Sequence, residues 1–249
     1  MPKSQNIPLK RLFAEGMAII VSILFAFGID AWWDGRQQKH DEIVLLQAIL
    51  DDLTEKKSRL AYDKKYNQAI MESARTLVNA AAATNQPNLE NGDIDRHIAF
   101  TWWYNDPSAW DSAPINSLMT GGSLSNISSP VLLQQLSELQ LSIRQMKNGY
   151  ANDQRFHNDV LIPFFIANVN LPQIANNTEH SPGHPENKYV FPEFAISTQY
   201  DHSDLVSKVE FQGLLVAKID KLVDISRQFD SLEKTLNESI ELIRDELNN

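Results

Sequence analysis

Six histidines and no cysteine set the chemical inventory of this 249-residue chain. Two of the histidines lie four apart in Glu179-His180-Ser181-Pro182-Gly183-His184-Pro185-Glu186, where imidazoles and carboxylates crowd as they do around a metal ion. On a helix that spacing would aim both rings at one point. Pro182 and Gly183 place them in a turn instead, so the expectation is a polar, proline-rich surface loop rather than a metal centre or a metal-dependent hydrolase. His157 and Asp159 share a helical stretch, and Asp201-His202-Asp204 stand where a helix should begin. Neither group has a nucleophile at a motif spacing, and Ser203 or Asp204 reads best as a helix N-cap. Thr120-Gly121-Gly122-Ser123 is too short for a phosphate loop and lacks its lysine. The absence of cysteine removes disulfides, thiolate metal sites and a thiol nucleophile. No catalytic residue, metal ligand or cofactor is therefore assigned, and the chain reads as non-enzymatic.

Trp102, Trp103, Tyr104 and Trp110 form an aromatic cluster. Such a cluster either plugs the end of a helical bundle or lines a ligand pocket, with packing the more frequent use. A deep pocket there would point to a ligand, and a solid core would point away from one.

The elements around these groups begin with an apolar stretch, Met17 to Ile29, too short to cross a bilayer by itself. Extended to Leu12–Trp33 it has 22 residues, roughly 33 Å of helix. Trp32 and Trp33 then suit the headgroup zone, with Arg36 and Lys39 beyond them in water. A cleaved signal peptide ending at Ala26-Phe27-Gly28, or a buried core helix, are the competing readings. Ala14, Ala18, Ser22 and Ala26 recur every four residues, a small-residue row that lets two helices approach closely in lipid. Glu15 beside this row faces the positive end of the helix dipole. Lys3, Lys10 and Arg11 precede the span and Arg36 and Lys39 follow it, which orients residues 1–11 as a short cytoplasmic tail and residues 34–249 as an external domain. So short a tail leaves no room for a cytoplasmic output domain.

Glu15, Ile23-Leu24-Phe25-Ala26, Ile29 and Trp32 resemble, in order and spacing, an uncharacterised bacterial family, domain of unknown function 6090. The likeness continues through Ile43–Leu53 and returns at Ser117-Leu118-Met119-Thr120-Gly121-Gly122-Ser123-Leu124, covering about half the chain. The sequence departs from the pattern at Ala14 and Ser22, where the family carries glycine, and at Asp30-Ala31, where it carries two asparagines. The resemblance implies a single-span protein of the bacterial inner membrane and implies no activity.

Beyond the span, Arg36 to Ala83 has neither proline nor glycine and reads as one long helix, with Ile43, Leu46, Leu50, Leu53 and Leu60 facing a core. Thr84–Gly92 reads as a linker, Asp93 as the cap of a short helix to about Tyr104, and Pro114–Thr120 as another short helix. Ser129-Pro130 opens a second long helix carrying Leu132, Leu136, Leu139, Ile143, Met146 and Tyr150, which Pro163 must kink or end. Residues 172–202 hold four prolines and little periodicity, so they are expected to contribute little to the fold. No strand is expected, although Tyr189–Ile196 could be a short extended piece. The last helix repeats Leu222, Ile225, Phe229, Leu232, Leu236, Ile240, Ile243 and Leu247 at the spacing used by coiled coils. The fold expected is all-α: a single N-terminal transmembrane helix followed by an elongated antiparallel bundle. The net charge of −10 lies wholly beyond residue 34 and argues against nucleic acid as a partner. The bilayer, and a protein partner or second copy meeting the span and long helices, are the partners expected. The function expected is a membrane-anchored accessory or assembly subunit; the alternative is a ligand-binding or sensory bundle acting through a partner.

Overall fold

The computed structural model describes residues 9–82, 89–112, 115, 127–188, 193–196 and 198–248. The molecule is almost entirely helical. Its first helix, α1 (Leu9–Ala82), runs unbroken for 74 residues, or roughly 110 Å. The expected span and the expected soluble helix are thus one element, as the lack of any proline between them allows. From Met17 to Asp41 every side chain of α1 is exposed, and this stretch is long and apolar enough to cross a membrane. Burial begins at Leu46.

From there Leu46, Ile49, Leu53, Lys56, Leu60, Asp63, Asn67, Ile70, Ala74 and Leu77 recur at alternating steps of three and four and all are buried. Two more long helices carry the same repeat. They are α3 (Pro130–Phe156), buried from Leu132 to Tyr150 and Asp153, and α7 (Val209–Asn248), buried from Phe211 to Ile243. Such spacing keeps one stripe of each helix facing the others over many turns. α7 lies against both α1 and α3 and runs antiparallel to each. Gln135 near the start of α3 donates to the Thr235 carbonyl near the end of α7, while Asp153 meets Lys218 at the opposite end. Along α1, Lys64 pairs with Asp230 and Glu233, and Asn67 donates to the Leu222 carbonyl.

Ser129 caps α3 by accepting from the Leu132 amide, with Pro130 in the first turn. Pro163 does not end the rod. A π-turn (His157–Leu161), closed by the Ile162 amide donating to the His157 carbonyl, widens the helix just before it, and α4 (Ile162–Asn168) carries the proline in its first turn. The wider turn is where a helix absorbs a residue that cannot donate.

The short elements gather at the far end. α2 (Asn91–Thr101) packs Ile94 and Ile98 against Ala74 and Leu77 of α1. Its N-cap is Glu90, and Asp93, expected as the cap, pairs with Arg96 instead. A 3₁₀ turn (Pro107–Trp110) follows, capped by Asp106. The stretch expected to be structureless is built up. It holds α5 (Leu171–Asn176), with Pro172 in its first turn, and an antiparallel hairpin of β1 (His180–Ser181) and β2 (His184–Lys188). Gly183 turns the hairpin at φ +69°, and a Cβ there would lie 2.6 Å from the Lys65 carbonyl oxygen. Only glycine meets both demands. α6 (Ser203–Val206) precedes α7; its N-cap is His202, not Ser203 or Asp204, while Asp201 accepts from the Ser203 amide. The expected helix at Pro114–Thr120, apart from Ile115, lies outside the described residues, as do Thr120–Ser123, residues 189–192 and the first eight residues.

Candidate functional site

Two buried polar ties hold the long helices in register beside the loop Trp102–Asp106, and a third joins the short elements. Asp153 of α3 and Lys218 of α7 form a fully buried ion pair at 2.7 and 2.8 Å, and Lys218 also donates to the Trp103 carbonyl at 3.0 Å. Burial pulls the Lys218 pKa down, against the pull of Asp153, which favours the charged form. Asp63 of α1 accepts from Trp110 Nε1 and from the Tyr150 hydroxyl, each at 2.8 Å, with Arg59 Nε 2.8 Å from its other oxygen. Burial and the Asp63 charge push the Tyr150 hydroxyl pKa well above its usual value. Asp95 of α2 accepts from His202 Nδ1 at 2.6 Å, Gln173 at 2.8 Å and Asn177 at 2.7 Å. Burial opposes its ionisation, but these three hydrogen bonds outweigh that and hold its carboxyl below the ordinary range.

Each histidine singled out in the sequence can now be placed, and His180 lies half-buried in β1. His202 resembles half of a catalytic dyad, but its Nε2 accepts from the Asn170 amide at 3.1 Å, so the nitrogen a nucleophile would need is occupied. His184 stacks on Tyr62 at 3.6 Å and points its nitrogens at Glu186 Oε1 (2.9 Å) and the Tyr62 carbonyl (3.2 Å). Both ring nitrogens are thereby spent within the protein. Among the described residues no group of three or more potential ligands is arranged to hold a metal ion. His157 is buried beside Trp102 and Tyr104, and its Nδ1 has no hydrogen-bond partner. Burial, then the Lys218 charge, pushes its pKa down to about 4. Asp159 is exposed on the same turn.

The aromatic cluster divides. Trp110 is 1 % exposed and belongs to the core. Trp102, Trp103 and Tyr104 instead wall a cleft of about 310 Å³, closed on the other side by Leu171, Ile174 and Thr178. Its walls are almost wholly apolar. Trp103 and Tyr104 also wall a second, polar cavity of about 380 Å³ toward α1, α3 and the hairpin. The pattern marked the aromatic residues but not their partners. Lys218 and Asp153 did leave a signal, since both fall on apolar stripes where a charge must find a buried counter-charge.

At the other end of the molecule, Ala18, Ser22 and Ala26 lie exposed along α1, and the Ser22 hydroxyl donates to the Ala18 carbonyl at 2.8 Å. The side chain of Ala14 lies outside what is described. Glu15 is exposed, as are Trp32 and Trp33, whose ring centroids are 6.5 Å apart, with Arg36 over Trp32. Compared with protein families, curated proteins and solved structures, the chain matches none.

Proposed function

We propose that the chain is a single-span protein of the bacterial inner membrane, of the kind domain of unknown function 6090 describes, and that it acts without catalysis as an accessory or assembly subunit. One observation carries the reading. The first part of α1 is a bare helix with apolar side chains on every side: Phe13, Leu24 and Phe25 are 72 %, 64 % and 71 % exposed. A helix apolar all round needs an apolar surrounding. Lys3, Lys10 and Arg11 favour a cytoplasmic N-terminus, leaving the bundle outside. Ala14, Ala18, Ser22 and Ala26 offer the span a face for a second helix, its own copy or a partner's.

The test is a two-helix membrane reporter carrying the span. Ser22→Leu should weaken association while Ile20→Leu, on another face, should not. Equal association in the two variants overturns the packing face. A reporter fused to the C-terminus and active only in the cytoplasm should stay silent, and activity there overturns the orientation.

The cleft at Trp102–Tyr104 favours a second reading, a bundle that binds a small molecule and passes the signal to a partner. Its volume is at the lower end of the roughly 300–1,000 Å³ typical of ligand pockets.

A further inference from the structure

We infer that the polar cavity walled by Trp103 and Tyr104 is a binding site for a neutral polyhydroxylated ring, a sugar residue; the inference rests on the ligand-binding reading. The cavity, about 380 Å³, lies where α1 (Arg59, Tyr66), the loop Trp103–Asn105, α3 (Gln154) and the hairpin (Ser181) meet.

One of its formal charges is matched inside the protein, and the carboxylate at its exposed rim is occupied by neutral donors. Arg59 Nε sits 2.8 Å from Asp63, and Asp106 is engaged by the amide and hydroxyl of Ser108 at 2.9 and 2.8 Å. An anion entering here would lie against two carboxylates, and a cation against a guanidinium. What remains uncommitted is mostly neutral and of both senses. Asn105, 2 % exposed, spends its amide nitrogen on Asn67 at 3.5 Å and keeps its carbonyl oxygen open. The amide of Gln154 and the hydroxyls of Ser181 and Tyr104 take no hydrogen bond from the protein among the described residues. Ser181, which lines the cavity, is itself only 5 % exposed. The terminal nitrogens of Arg59 add donors.

A carboxylate or phosphate would want donors only, and an ammonium acceptors only. A set that mixes donors with acceptors matches hydroxyl groups, each of which does both. The aromatic walls supply the other half of the match. Tyr66 and Trp103 meet edge to face at 80°, with ring centroids 6.5 Å apart, and form a corner against which the C–H faces of a saccharide can pack.

The experiment is saturation-transfer NMR on the full chain in a detergent without a sugar headgroup. The probes are D-glucose, N-acetyl-D-glucosamine, benzoate, choline and indole. At least one saccharide should receive saturation, while benzoate and choline should receive none. Gln154→Leu combined with Ser181→Ala should weaken saccharide binding about tenfold or more, and the milder Tyr104→Phe should weaken it less. No saccharide signal at about 20 mM, a stronger signal from benzoate or choline, or equal binding by the folded variants overturns the inference. Indole binding without any saccharide binding overturns it while leaving the ligand-binding reading in place. Silence from all five probes overturns the inference as well.

Discussion

Lys218 and Asp153 are the costliest pair of side chains in the molecule to separate. Each has no exposed surface, so removing either charge strands the other in the core. Lys218→Met or Asp153→Asn alone should therefore cost about 3–5 kcal/mol, read by denaturant unfolding. Lys218→Met with Asp153→Leu should cost much less, because no charge is then left behind. His157 beside this pair makes stability depend on pH. Its folded pKa of about 4 lies below the ordinary histidine value of 6.5, so the unfolded chain binds the extra proton first. The stabilisation is complete above about pH 6.5 and is lost as pH falls toward 4, on the order of 3 kcal/mol in all. His157→Phe should flatten this limb of the pH–stability profile, and a profile unchanged by the substitution would show that other groups drive it. His97 is shifted down in the same sense, chiefly by burial, so the variant rather than the bare profile isolates His157.

Among the elements, α7 is the common wall of the bundle. Phe229 and Leu236 are 1 % and 0 % exposed, and replacing either with alanine should cost about 2–5 kcal/mol in thermal or denaturant unfolding. A cost below about 0.5 kcal/mol at both would mean that this face is not packed. The three long helices were legible in the sequence because their apolar residues recur at local spacing, which needs no knowledge of the partner. The stretch 172–202 was not, because its order comes from far away. Gln173 is held by Asp95 of α2 and His184 by Tyr62 of α1. Its prolines misled for a physical reason. Pro172 sits in a first helical turn and Pro182 in a tight turn, places where the missing N–H costs nothing. The polar cavity was hidden in the same way. Arg59, Gln154 and Ser181 each read as ordinary polar residues, and only the packing of α1, α3 and the hairpin brings them together.

Taken whole, the molecule is a bundle with a bare extension. Among the described residues, Glu42, hydrogen-bonded through its carboxylate to the amide and hydroxyl of Ser128, marks where the extension joins the rest. Deleting residues 1–34 should give a soluble, folded bundle that melts close to the full chain. Aggregation or a large fall in melting temperature would show that the extension supports the bundle. Because α1 passes from extension to bundle without a break, it also acts as a lever. From Trp33 to Ala82 it measures roughly 74 Å. With its first turns seated in a bilayer, a change of tilt of about 10° would sweep the far tip sideways by roughly 13 Å, at a lever length set by the helical rise. A twist of the span about its own axis would likewise turn the cavities to face another direction. Lipid thickness, or a neighbour pressed against Ser22, would thus move the Trp102–Tyr104 end of the molecule without touching it.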